Sequence, residues 1–355
     1  MKIFLVSNMY PSKQDPLFGV FVKNFCKGLE SLGVDISLKS IIKGKSKNIL
    51  KKTTKYLIYV KSLVANYYLG KYDLIYIHYL SINSIFFRLL LFHKNSKSII
   101  VNVHGSDVVQ EGFFMSYFNK YLLKRCHLII APSEYFKKKM LNKYSFLISH
   151  KIFVSPSAGI DPKVFYNYEN FVKKENLTLG YVSRIDKGKG WDIFLDLLVK
   201  LDEQGLLVNS IVIGDGLLRK DFLNRVKHLN IKNIKYLGMI SQDKLIDWFN
   251  YMDLFIFPTT LPESLGLVGL ESMACGTPVI GSNIAGPAEY IKDGFNGFKF
   301  RVGDVKDLLM KVNDYLLLTK IEKKKMKNNA FKTSLKYQNE NVILKLKKKI
   351  DNYVT

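Results

Sequence analysis

Short β-branched runs alternate with longer amphipathic stretches through most of the chain, and the alternation runs in two successive series. Such alternation builds parallel sheets, because each parallel neighbour is reached only by a crossover, usually a helix. In the first half, strands are expected at 2–7, 33–38, 72–78, 98–103, 127–131 and 151–154, with helices near 19–31, 48–69, 81–93, 113–125 and 133–143. The second half starts again, with strands near 177–184, 207–213, 232–237, 253–257, 277–281 and 297–300, and helices near 190–203, 217–229, 242–250, 265–275 and 305–318. The fold class is therefore α/β, with two doubly wound, Rossmann-like parallel sheets. From Asp161 to Asn176, Pro162, three asparagines and mixed charge interrupt the periodicity, which places the linker there. Doubly wound sheets bind ligands at the carboxyl ends of their strands, so the expected site is a cleft faced by both sheets.

Composition narrows the classes. Across 355 residues, 48% are hydrophobic, enough for full-size cores and too many for a disordered chain. Three cysteines, Cys26, Cys126 and Cys275, fit neither a disulfide framework nor zinc-ligand spacing, and point to a reducing cytosol. The opening apolar run ends at Ser7, too short for a signal peptide, and Leu74 to Phe92 is broken by His78, Asn83 and Arg88, so no spanning segment is expected.

The net charge of +24 is uneven: residues 1–170 carry 25 basic and 9 acidic residues, and residues 171–355 carry 29 and 21. No acid lies between Lys39 and Lys61, a stretch that includes Lys45, Lys47, Lys51 and Lys52. That run suits an anionic membrane or substrate, or is a plain solvated surface. With no recognisable nucleic-acid motif or aromatic-basic platform, a nucleic-acid partner is not expected.

The chemistry-bearing residues follow strands. Arg184 and Lys189 leave the first strand of the second series on a glycine-containing loop before a helix, where a guanidinium fork and a point charge could hold a diphosphate, or form a solvated loop. Gly214-Asp215-Gly216 ends another strand, and admits a ligand or a neighbouring backbone. Residues 257–278 encode strand, loop, helix, glycine stop and strand; Glu263 precedes the helix, and the amides of Gly266, Leu267 and Val268 cluster at its start. Glu271 sits on that apolar helix, where a carboxylate needs a partner or bound hydroxyls. In the first half, His104 ends a strand at the same sheet edge, and Gly19 opens the first helix.

Together, Arg184 with Lys189, Gly214-Asp215-Gly216, and Glu263 with Glu271 resemble the retaining glycosyltransferases of family 4 (glycosyl transferases group 1), which have the GT-B fold. Pro156-Ser157-Ala158-Gly159-Ile160-Asp161 with Phe165 is similar to the family's interdomain segment, and residues 273–297 to its C-terminal signature. The resemblance implies an acceptor-binding domain at 1–165, rejoined by a crossing helix at 335–355, and a nucleotide-sugar domain at 175–334. It implies transfer of a hexose from a UDP- or GDP-sugar to a hydroxyl of a glycan or lipid-linked acceptor in surface polysaccharide biosynthesis, on the cytoplasmic side and with an anionic membrane surface as a further partner. Arg184 and Lys189 would hold the diphosphate, and Glu271 the ribose. Glu263 with Ser264, Leu265, Gly266, Leu267 and Val268 would meet the sugar and phosphate, His104 the transferred sugar, and Gly19, Gly214 and Gly216 the donor. No cofactor is implied, and no metal, since the chain has no Asp-x-Asp. A GT-B epimerase or phosphorylase shares the architecture and is the alternative within it; a basic nucleic-acid-binding protein is the alternative outside it.

Overall fold

The computed structural model describes residues 1–354 except 17, 47, 91–96, 110 and 169–175. The chain divides into two compact units, Met1–Gly159 with Asn339–Thr355, and Ile160–Gln338. The expected limits of 165, 175 and 335 shift accordingly. Ile160 and Phe165 are buried in the second unit's core, and Ile160 N–H donates to the Tyr337 carbonyl at 2.8 Å, which ties the start of that unit to its end. Part of the expected linker, 169–175, lies outside the described residues, as do the last three residues of the helix expected at 81–93.

In the first unit, β1 (Ile3–Tyr10), β2 (Lys39–Lys43), β3 (Leu74–His78), β4 (Ser98–Asn102), β5 (Leu128–Ala131) and β6 (Ile152–Val154) form one parallel sheet in the order β2-β1-β3-β4-β5-β6. Alternate residues of a strand face opposite sides, and both sides are covered, which is why the central strands read as unbroken apolar runs. Phe4, Val6, Ile75 and Ile77 pack with Tyr59 and Leu63 of α2 (Ile49–Leu69), Phe87 of α3 (Ser81–Leu90), Leu122 of α5 (Phe113–Arg125) and Met140 of α6 (Glu134–Lys143). On the other side, Ile3, Leu5 and Tyr76 pack with Val22, Phe25 and Leu29 of α1 (Val20–Glu30) and with Ile343, Leu346 and Ile350 of the last helix, α14 (Asn339–Asp351). The missing side chain of Gly28 lets α14 approach α1, because a Cβ there would lie 2.7 Å from Ile343 Cγ1.

One expected strand is displaced. Residues 33–38 make a single bridge, Lys2 to Asp35, and the ladder resumes at Lys39 opposite Leu5. The Asp35 carboxylate accepts from the Ser37 N–H at 2.8 Å, a turn that carries Ser37 out of the ladder while Val34 and Ile36 remain buried.

In the second unit, β7 (Thr178–Val182), β8 (Asn209–Ile213), β9 (Ile234–Tyr236), β10 (Leu254–Phe257), β11 (Val279–Ser282) and β12 (Gly297–Phe300) form a parallel sheet in the order β12-β11-β10-β7-β8-β9. The order reverses between β7 and β10. The loops that follow these two strands therefore lead to opposite faces of the sheet, at the switch point where doubly wound folds bind ligands. Each leads into a helix, α7 (Trp191–Glu203) after β7 and α10 (Leu267–Ala274) after β10. Around them stand α8 (Arg219–His228), α9 (Gln242–Tyr251), α11 (Ala285–Tyr290), α12 (Val305–Leu317) and α13 (Lys320–Leu335). The Lys-rich tail from Lys320, whose sequence reads as helical, forms α13, whereas two short helices among the described residues, α4 (Ser106–Val109) and α11, of four and six residues, print no helical period and were not foreseen.

Candidate functional site

The β7 and β10 loops lie against each other at the switch point. Gly190, which caps α7 at φ 78°, would carry a Cβ only 1.9 Å from the Pro258 carbonyl oxygen, so a side chain there is excluded twice over, by conformation and by space. Thr260 N–H donates to the Gly188 carbonyl at 2.9 Å and joins the loops. Across this seam the Lys189 ammonium donates to Glu263 Oε1 at 2.6 Å, and the Thr259 hydroxyl donates to the same oxygen at 3.2 Å. The side chains of Lys189 and Glu263 are 13% and 20% exposed, so the pair is largely shielded from water.

Arg184 stands apart from it. Its guanidinium donates to Asp186 Oδ2 at 2.6 Å and is 70% exposed, while the other Asp186 oxygen accepts from the Leu217 N–H at 2.8 Å. The two cations thus differ: Lys189 is held within the seam by Glu263, and Arg184 is steadied on the surface by Asp186. Beside them, a Cβ on Gly214 would lie 1.8 Å from the Ser183 carbonyl oxygen, and one on Gly216 2.4 Å from that of Ile185. The close approach these glycines permit is by the backbone of the β7 loop.

After β10, Leu265 is 3% exposed and its side chain belongs to the core with Phe257 and Leu270, leaving its backbone as the part that can meet a ligand. Ser264, Gly266, Leu267 and Val268 are half-buried. Gly266 caps α10 at φ 77°, and its carbonyl accepts from the Tyr290 hydroxyl at 2.9 Å. The first N–H groups of a helix have no intrahelical acceptor and carry its positive end, which makes this turn attractive to an anion. Glu271, half-buried on the same helix, accepts from Gln242 Nε2 at 3.0 Å. Burial pushes its carboxyl up to about 7, against the pull of the Gln242 bond.

In the first unit, Gly19 folds against the end of β1, where a Cβ would lie 2.7 Å from the Met9 carbonyl oxygen. Two residues on, the Phe21 ring centroid is 4.5 Å from that of His104, and the Tyr79 ring lies on His104 at 5.9 Å. The Asp107 carboxylate anchors this turn by accepting from the His104 N–H at 3.0 Å and the Leu80 N–H at 3.1 Å. Burial pushes His104 down to about 3 and Asp107 up to about 6, so His104 is a neutral imidazole at physiological pH.

The lysine-rich stretch is less uniform than its sequence. Lys39 pairs with Glu30 at 3.0 Å, and Lys55 donates to the Lys43 and Gly44 carbonyls at 2.7 and 3.0 Å. Lys45 lies 5.6 Å over the Phe18 ring, Lys51 and Lys52 are exposed on the first turn of α2, and Lys47 lies outside the described residues. Opposite its buried Tyr59 and Leu63, α2 exposes Leu50, Leu57, Val64 and Tyr68 along one stripe.

Sequence reasoning missed Asp186, Gln242 and His78, the partners of Arg184, Glu271 and His104. Asp186 stood in view two residues from Arg184; the other two come from distant elements.

Residues 166–333 match the family model for glycosyl transferases group 1. The matched range lies within the second unit. Over nearly its whole length the chain is similar to an uncharacterized glycosyltransferase of Methanocaldococcus jannaschii, 27% identical with 98% of this chain and 97% of the relative covered. The capsular polysaccharide biosynthesis glycosyltransferase CapM of Staphylococcus aureus is 29% identical over 55% of each chain. Among solved structures, HepE of Anabaena, in complex with UDP-glucose, superposes with a TM-score of 0.75 at 18% identity, covering 99% of this chain and all of that one. The paired six-stranded parallel sheets are those of GT-B glycosyltransferases, and the matches together support glycosyltransferase activity. Among the described residues, no helix is long and apolar enough to cross a membrane.

Proposed function

We propose that the chain is a retaining, metal-independent hexosyltransferase of family 4 that transfers a sugar from a UDP- or GDP-sugar to a hydroxyl of a glycan or lipid-linked acceptor in capsule or lipopolysaccharide synthesis. The observation that carries the reading is the Lys189–Glu263 pair across the β7/β10 seam, beside the start of α10. Breaking a sugar–phosphate bond builds negative charge on the departing diphosphate, and groups placed in advance against that charge lower the barrier most. Lys189, Arg184 and the first N–H groups of α10 are such groups, and they do the work a metal does where an Asp-x-Asp is present. Glu263 keeps the ammonium in place and offers its carboxylate to sugar hydroxyls, with Ser264 beside it. Glu271 accepts from the ribose, His104 meets the transferred sugar as a neutral hydrogen-bonding group, and Gly19, Gly214 and Gly216 keep the surrounding turns low.

The bond from the anomeric carbon to the phosphate oxygen breaks, and the bond to the acceptor oxygen forms on the same face. The acceptor proton passes to the departing phosphate, so no protein nucleophile is needed and configuration is retained. HepE, solved with UDP-glucose, supports a nucleotide-sugar donor, and CapM supports a role in surface polysaccharide. The exposed stripe of α2 with Lys51 and Lys52, and Lys45 before it, suits an anionic membrane and a lipid-linked acceptor on its cytoplasmic face.

A thermal-shift screen across UDP-, GDP- and ADP-sugars tests the donor. A ligand at 100 times its Kd stabilises by about 2.7 kcal/mol, so one nucleotide class should raise the melting temperature by a few degrees. No shift with any of them would overturn the reading.

A further inference from the structure

At the end of β3 a histidine that none of the proposed contacts uses is buried. His78 is 1% exposed and stands between Ser7 of β1 and Asn102 of β4. Its ring is edge-on to Phe25, with centroids 4.5 Å apart, and 5.1 Å from Tyr76. Its Nδ1 is 3.1 Å from Nε2 of His104, whereas its Nε2 has no hydrogen-bond partner.

A neutral imidazole has one N–H and one lone pair, and which nitrogen holds the proton is set by the bond the other makes. If His104 donated to His78, the proton of His78 would sit on Nε2, as a buried N–H with no acceptor. If His78 donates from Nδ1, only a lone pair is left among the aromatic rings. Orphaned buried N–H groups are the rarer of the two.

We propose that His78 is a positioning residue that donates from Nδ1 to His104 Nε2, and thereby fixes His104 as the tautomer with its proton on Nδ1, a hydrogen-bond donor toward an oxygen of the substrate. The Phe21 and Tyr79 rings and Asp107 already hold the place of His104, so His78 sets its polarity. The inference rests on the reading of His104 as a sugar contact.

The test is nitrogen-15 imidazole NMR on the full chain, which has six histidines, with His104→Gln supplying the assignment. His104 should show a pyrrole-type Nδ1 and a pyridine-type Nε2. His78→Asn, whose amide stands where Nδ1 stood, should keep that tautomer and most of the rate. His78→Leu should let His104 exchange between tautomers and lower kcat roughly tenfold, the effect of one neutral hydrogen bond. A wild-type His104 protonated on Nε2, or a tautomer unmoved by His78→Leu, would overturn the proposal. A tautomer that shifts while kcat does not would overturn the reading of His104 and keep the His78 contact.

Discussion

Glu271→Gln should stabilise the fold at alkaline pH while it weakens the donor. Burial lifts the Glu271 carboxyl from its ordinary 4.5 to about 7. Below pH 4.5 the group is protonated in folded and unfolded chains alike. Between 4.5 and 7 the unfolded chain releases the proton and the folded chain keeps it, so stability falls as pH rises, and above 7 the loss is complete. At about 1.4 kcal/mol per pH unit the ceiling is about 3 kcal/mol, and water reaching the half-buried carboxylate reduces this to about 1–2. The amide carries no such charge and can still accept from Gln242. At pH 8 the variant should therefore be the more stable, and at pH 4.5 the two should agree within a few tenths of a kcal/mol. Both tryptophans, Trp191 and Trp248, lie in the second unit with Glu271, so fluorescence-detected urea unfolding reports that unit. Donor affinity should fall by roughly 10- to 100-fold, the worth of charge-assisted bonds to ribose. A variant less stable than wild type at pH 8, or a difference that ignores pH, would refute the burial argument. Unchanged donor affinity would make Glu271 structural.

Arg184→Ala and Lys189→Ala should each lower kcat/KM by roughly 10- to 100-fold, the exposed Arg184 with little change in melting temperature and the shielded Lys189 with a lower one, and near-native activity in both would remove the diphosphate assignment. Activity should persist in EDTA; complete loss, restored by Mg²⁺ or Mn²⁺, would show that the two cations do not replace a metal. Anionic liposomes should sediment the wild type at low salt and release it at high salt, whereas a variant with Lys45, Lys47, Lys51 and Lys52 changed to Glu should stay in solution; equal partitioning would leave those lysines as ordinary surface.

The fold was legible because strands buried on both faces appear as continuous apolar runs, as in Leu74–His78 and Leu128–Ala131, and because that series occurs twice. The displaced β2 escaped because it is the edge strand and begins within the lysines, whereas Val34 and Ile36 alternate convincingly for a different reason, burial beside the sheet. At the candidate site, sequence order placed Arg184, Lys189 and Glu263 at strand ends. It carried no sign that Lys189 and Glu263 meet across 74 positions, which is a product of the strand reversal at β7 and β10. Likewise His78 reads as the last residue of a strand, and its bond to His104, 26 residues on, exists only because β3 and β4 are neighbours.

Sugar transfer with retention is tested most directly by proton NMR of the product. The purified chain is incubated with the sugar nucleotide selected by the binding screen and a lipid-linked or glycan acceptor, and the anomeric signal of the new linkage is followed from the first turnover. An α-linked product from an α-configured donor, absent when Lys189→Ala is used, is the expected result. A β-linked product, or release of nucleotide diphosphate with no new glycosidic bond, would contradict it.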